Sequence, residues 1–297
     1  MTTGSSDVVI VGGGIVACLS GYLLGRRGFK VTILEADSLG AHASGFAFGG
    51  LDPLTGVGIP EPLLEFSLWC YGRHRGLARE LHEATGIDVG FELRDRLNLA
   101  FTDGEVRSAK ADIEWMKDVG GFHVEWLDNS QARKQEPQVS PEIAGALFAQ
   151  SPGALEPYRF ILAAMRAGER YNAEMIQRRA IGLVADGERV TGVHLENGTI
   201  NAGIVVLAMG PWTGLASEWC GVDIPVTPLK GQILRMRTLH DPLKLAVNYS
   251  HSYVATKPDG LIWAGTTEEE SGFDNSPNSL ARDSIMADLL KMIPGMT

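Results

Sequence analysis

The sequence predicts an α/β fold in which a parallel, helix-flanked sheet is interleaved with an antiparallel one. Three observations predict it. The β-branched run Val8-Val9-Ile10-Val11 passes through Gly12-Gly13-Gly14 into a helical pattern and then into a second apolar run at 30–34. A meander at 181–210 has two hairpin tips, Asp186-Gly187 and Asn197-Gly198, and ends in a fully apolar strand at 204–208. Runs at 233–237, 253–257 and 261–265 alternate as strands of an antiparallel sheet do.

The elements follow in order. Residues 8–11 are continuously apolar, as a strand buried on both faces requires. Residues 15–27 place Ile15, Leu19 and Leu23 at helical spacing, with Arg26 and Arg27 in the last turn and Gly28 just beyond, a stop pattern. Residues 30–34 form the second strand, ending at Glu35, so a parallel pair with a right-handed crossover is expected. Residues 38–58 are rich in glycine and small side chains and show no period. A long helix is predicted over 60–85, strand and turn over 87–100, an amphipathic helix over 105–119, and a short helix over 130–135 stopped by Pro137. A closing helix over 279–293 stops at Pro294.

Composition narrows the function. With 26 Lys+Arg against 36 Asp+Glu, the net charge of −10 argues against a nucleic-acid binder, which needs cations to neutralise phosphates. A 44% apolar content is enough for a buried core and too high for a disordered chain. The three cysteines, Cys18, Cys70 and Cys220, form no CxxC pair, which excludes a zinc ribbon; no metal site is expected, and the sparse count fits a cytoplasmic protein. The apolar stretch 8–24 lacks a basic leader and is broken by three glycines, so neither a signal peptide nor a membrane span is expected.

The chemistry is carried by Gly12-x-Gly14-x-x-Ala17, set between a strand and a helix. Gly12 permits the tight turn, Gly14 lets the backbone approach a pyrophosphate, and Ala17 lets helix and strand pack closely. The helix N-terminus then offers N–H groups and a positive dipole end to phosphate. Glu35 stands 21 residues after Gly14, near the spacing at which an acid accepts a ribose hydroxyl. These features indicate a dinucleotide; an NAD-dependent dehydrogenase would leave the small-residue loop after Glu35 without a role.

The stretches 8–16, Leu34-Glu35-Ala36 and the loop Ala43-Ser44-Gly45-Phe46-Ala47-Phe48-Gly49-Gly50 resemble the start of the D-amino-acid oxidase-like flavoproteins, closest to their glycine oxidase and sarcosine oxidase branch. The likeness continues through Gly153-Ala154-Leu155-Glu156-Pro157, the turn 205–212, the segment 225–232 and the hairpin 253–267. The resemblance implies a Rossmann-like FAD-binding domain, residues 1–85 and 145–215, interleaved with an antiparallel-sheet substrate domain, residues 86–144 and 216–297. It implies non-covalent FAD held by Gly12, Gly14, Ile15, Val16, Glu35, Ala36, Ala43, Ser44, Gly49, Gly50, Ala180 near the adenine, and Gly210. In some relatives a histidine or cysteine attaches the flavin; His42 precedes the flavin loop here, but non-covalent binding is the expectation.

The implied reaction oxidises the amine of glycine, sarcosine or a D-amino acid. Hydride passes to flavin N5, the imino acid hydrolyses to the 2-oxo acid, and oxygen or another acceptor reoxidises the flavin. Tyr253 matches the family tyrosine facing the substrate carboxylate. His251, two residues earlier, is expected to share its sheet face and matches a family position near the site's mouth, although a neutral surface histidine is the preferred reading of it. Cys18 and Trp212 are expected to pack, and Glu268-Glu269-Glu270 to be a solvated loop. The family continues past the helix ending at Pro294 with a carboxylate-clamping arginine and a glycine-rich loop, and no residue here matches that arginine. The alternatives are a 2-hydroxy-acid dehydrogenase on the same scaffold, or a truncated FAD-binding subunit without independent activity. Whether a homo-oligomer or a partner chain completes the site stays open.

Overall fold

A computed structural model describes residues 2–150 and 152–296; the outermost expected domain limits, 1 and 297, lie outside the described residues. In chain order, β1 (Thr2–Val11), α1 (Ile15–Gly25) and β2 (Val31–Glu35) are followed by α2 (Ala43–Phe46), β3 (Gly50–Leu51) and α3 (Leu64–Thr85). Then come β4 (Glu92–Leu93), β5 (Arg96–Ala100), α4 (Asp103–Met116), β6 (His123–Asp128), α5 (Asn129–Gln135), β7 (Gly145–Gln150) and β8 (Gly153–Ala154). They lead to α6 (Pro157–Glu169), β9 (Ala173–Gln177) and the meander β10 (Ala180–Asp186), β11 (Arg189–Leu195) and β12 (Gly198–Leu207). A 3-10 helix, Gly210–Ala216, precedes α7 (Ser217–Cys220), β13 (Ile233–Met236), β14 (Ala246–Tyr249), β15 (Ser252–Thr256), β16 (Ile262–Gly265) and α8 (Ser279–Met292).

Local chemistry sets several ends. The expected helix over 60–85 begins only at Leu64, because Pro60 and Pro62 bias the residues before them away from helical backbone. The helix expected over 105–119 starts two residues earlier, at Asp103. Thr102 accepts the Glu105 amide at 3.3 Å and Glu105 reaches back to the Thr102 amide at 2.9 Å, a reciprocal capping box. Asp128 and Gln131 repeat the device on α5.

The chain divides into two compact units. The first comprises residues 1–49, 72–91 and 155–228. Its six-stranded sheet has the order β10-β11-β12-β1-β2-β9. β1 runs parallel to β2 and β12, and β2 parallel to β9, while the meander strands pair antiparallel. One face buries Val9, Val11, Leu34, Val193 and Leu195 together. Cys18, in α1, is a buried packing residue, and burial, with Glu35 nearby, pushes its thiol up to about 12.

The second unit comprises 50–71, 92–154 and 229–297. Its seven-stranded sheet has the order β13-β16-β15-β14-β5-β7-β6, antiparallel except between β14 and β5. One face joins Leu97, Phe148, Val247, Val254 and Ala264 to Ile285, Leu289 and Met292 of α8 in the unit's main core. A smaller sheet has the order β3-β8-β4.

This division departs from the expected limits in four places, each with a physical reason. Residues 50–51 pair with Gly153 and Ala154, and 145–150 pair with β5 and β6, which draws both into the second unit. Residues 86–91 stay with the first unit, where the Glu156 amide donates to the Val89 carbonyl at 2.9 Å. Residues 216–228 also stay there; a Cβ on Gly214 would sit 2.3 Å from the Val226 oxygen.

Candidate functional site

In the first unit the end of β1 is held between two strands. The Gly12 amide donates to Leu34 O and the Ala208 amide to Val11 O, each at 2.8 Å. Gly12 has φ +112°, and a Cβ there would lie 2.2 Å from Ala208 O, so the turn admits only glycine. The Glu35 carboxylate accepts the Gly13 amide at 2.5 Å and the Asp37 amide at 2.7 Å. Gly14 is the N-cap of α1 and brings no side-chain cap to the helix start. The Ile15 amide instead donates to Ser44 Oγ at 3.3 Å, and Val16 stands exposed in the first turn.

The loop after β2 folds back onto this turn. Gly40 N donates to Gly13 O at 3.2 Å, and the His42 carbonyl accepts the Gly45 amide at 3.0 Å, which closes α2 from Ala43 onward. His42 pairs with Asp37 at 2.7 Å and meets the Trp212 ring edge-on, centroids 4.7 Å apart. The predicted residues Gly12, Gly14, Ile15, Glu35 and Ser44 are thus joined around one helix N-terminus. Ala36 follows Glu35 directly. Gly49 lies on the same unit, its carbonyl accepting the Leu155 amide at 2.9 Å. Ala180 opens β10, in register with Leu195, and Gly210 opens the 3-10 helix after β12. Gly50 belongs to the second unit, paired with Ala154.

The second unit holds the two residues expected on the substrate side. Tyr253 is half-buried on β15, and burial pushes its phenol up to about 12. Its ring lies over Gly265: a Cβ there would come within 2.9 Å of the hydroxyl. His251 corrects an expectation. It lies exposed in the turn between β14 and β15, and β15 starts at Ser252, so strand alternation does not carry His251 onto the face of Tyr253.

Sequence reasoning missed three polar residues on the sheet face that carries Tyr253. Tyr253 is in register with Asn248 of β14, and Asn248 with Asn98 of β5. Arg96 is buried two positions before Asn98 and forms an ion pair with Asp52. The signal was available in Arg96-Leu97-Asn98-Leu99, where polar residues alternate with leucines inside an otherwise buried strand. Among the described residues no group of three or more His, Cys, Asp or Glu side chains could hold a metal ion, and no helix is long and apolar enough to cross a membrane.

A family described as DAO, FAD dependent oxidoreductase, matches residues 7–297. The chain belongs to this family. Glycine oxidase of Bacillus subtilis is 24% identical to this FAD-dependent oxidoreductase over 291 residues, covering 98% of the chain and 77% of the relative. Hydrogen cyanide synthase subunit HcnC of Pseudomonas aeruginosa is 28% identical over 308 residues, covering 91% and 73%. The solved glycine oxidase of Geobacillus kaustophilus superposes with a TM-score of 0.93 at 26% identity, covering 98% of this chain and 79% of that one.

FAD is the cofactor of this oxidoreductase, and the cradle in the first unit fits it. A turn from which side chains are excluded at Gly12 leads into a helix start with no side-chain cap of its own, next to a carboxylate fixed at the end of β2.

Proposed function

We propose that this FAD-dependent oxidoreductase oxidises the amine of a small amino acid to the imino acid, which hydrolyses in water to the 2-oxo acid. When bound, FAD supplies the two-electron acceptor for that oxidation. The chain's own residues bind and orient. The Gly14 amide at the uncapped helix start, with the Ser44 hydroxyl, would hold the pyrophosphate without a covalent link; Glu35, which fixes the turn through the Gly13 amide, would take an adenosine ribose hydroxyl, and the backbone at Ala180 would meet the adenine. Ala36, Ala43, Gly49 and Gly210 keep the approach free of bulky side chains. On the substrate side the Tyr253 hydroxyl donates to the carboxylate. The neutral amine needs no strong base, so orientation supplies much of the rate.

The observation that carries this reading is the position of Tyr253, half-buried on the polar face of the seven-stranded sheet and in register with Asn248, where its hydroxyl is a donor suited to a carboxylate. The likeness to glycine oxidases supports it. The test incubates the FAD-loaded protein with glycine, sarcosine, D-amino acids and 2-hydroxy acids. Release of ammonia or methylamine together with a 2-oxo acid supports the reading. A 2-oxo acid formed only from hydroxy acids supports the dehydrogenase alternative.

A second reading, an FAD-binding subunit that acts with a partner chain, is favoured by two relatives named as subunits, HcnC and the β subunit of a sarcosine oxidase. Activity that appears only when a co-expressed chain copurifies would support it.

A further inference from the structure

We propose that Asn98 and Asn248 set substrate selectivity, by reading a hydrogen-bonding group that the substrate carries beyond its α-carbon. This rests on the amine oxidation proposed above and names its substrate class: an amino acid with a polar, uncharged side chain, such as a carboxamide or a hydroxyl.

Register places the residues together. Tyr253, Asn248 and Asn98 lie directly opposite one another on β15, β14 and β5, so their side chains leave the same face of the sheet. That face is opposite the main core, into which Leu97, Leu99, Val247 and Val254 point. The three polar residues are half-buried. Asn98 Oδ1 itself is shielded from solvent and has no hydrogen-bond partner among the described residues. A buried amide oxygen without a partner destabilises the fold, and a ligand donor would satisfy it. If the amide is turned the other way, a ligand acceptor would serve its NH₂ group instead.

Distance and charge then select the ligand. Tyr253 and Asn98 are two strand spacings apart, about 10 Å. Glycine held at Tyr253 by its carboxylate does not reach that far, whereas a side chain ending in an amide or a hydroxyl extends toward the asparagines. Arg96, on the same face, is ion-paired with Asp52 through its Nε, while its two terminal nitrogens have no hydrogen-bond partner among the described residues, so the row adds donors whose charge is already compensated. An uncharged polar group therefore suits it better than a second carboxylate. A site built to hydrogen-bond such a group rejects the analogue that lacks it.

The test is anaerobic reduction of the FAD-loaded protein by asparagine, serine and alanine, each as both enantiomers. The expected result is an efficiency for asparagine or serine at least about tenfold above alanine, lost mainly as weaker binding in N98L and N248L. If N98L does not fold, N248L and the near-isosteric N98D read the same ratio. A wild-type protein that prefers alanine, or a ratio unchanged in folded variants, overturns this proposal alone. A flavin that no amino acid bleaches overturns the amine oxidation and this proposal with it.

Discussion

The Glu35 carboxylate accepts the Gly13 amide at 2.5 Å, so the acid that ends β2 is locked onto the glycine turn that ends β1. A hydrogen bond to a charged group contributes roughly 1.5–3 kcal/mol. Replacing Glu35 with Leu is expected to weaken FAD binding by about tenfold or more, with E35Q in between. Titrating the apoprotein with FAD and following flavin fluorescence checks it; equal affinities in all three proteins would remove Glu35 from the cradle.

Gly12 is expected to tolerate no Cβ. G12A brings a methyl within 2.2 Å of the Ala208 oxygen and imposes φ +112° on an L-residue. The expected loss is at least about 2 kcal/mol of stability, together with weaker FAD binding. Thermal unfolding of the apoprotein separates the two effects, since a stable G12A protein would contradict the geometry.

The ion pair between buried Arg96 and partly exposed Asp52 predicts non-additivity. Removing one partner leaves the other charge uncompensated, at a cost of about 3–5 kcal/mol. R96M and D52L should each destabilise strongly, and the double variant should recover part of the loss. Denaturant unfolding of all four proteins gives the coupling, and simple additivity would count against the pair.

Tyr253 predicts a stability loss in base. Burial raises its phenol to about 12, against 10.0 for a free tyrosine. Below pH 10 the group is neutral in both folded and unfolded chains. Between 10 and about 12 only the unfolded chain ionises, so stability falls as pH rises through that window. Tyr22 adds to the same window, because burial and then its hydrogen bond to Glu80 raise it as well. Y253F should remove one share of the loss and Y22F the other; an unchanged pH profile in Y253F would show that Tyr253 is solvated.

How much was legible in the sequence follows from where the signals are local. The turn at Gly12, the strand ends at Glu35, and the meander with tips at Gly187 and Gly198 combine composition and periodicity within a few residues, and they were legible. The start of α3 was misplaced because the apolar pattern extends through prolines that end it sterically. The start of α4 was legible in Thr102-Asp103-Gly104-Glu105 and was passed over. β7 and β14 are not legible locally, because their roles depend on pairing partners far along the chain, whereas α6 carries a local signal in Pro157 at its start and Phe160, Ile161, Ala164 and Met165 at helical spacing. The polar row of Asn98, Asn248 and Tyr253 depends on two strand registers, and no local pattern encodes those. His251 was assigned a face by counting alternation through a turn, where alternation does not hold.

The central claim, an FAD-dependent oxidation of an amino acid's amine, is tested most directly by anaerobic titration of the purified protein while its flavin absorbance near about 450 nm is followed. The account predicts a yellow protein that is bleached by a small amino acid and not by the matching 2-hydroxy acid. A protein bleached by hydroxy acids alone, or one from which no FAD can be extracted, would contradict it.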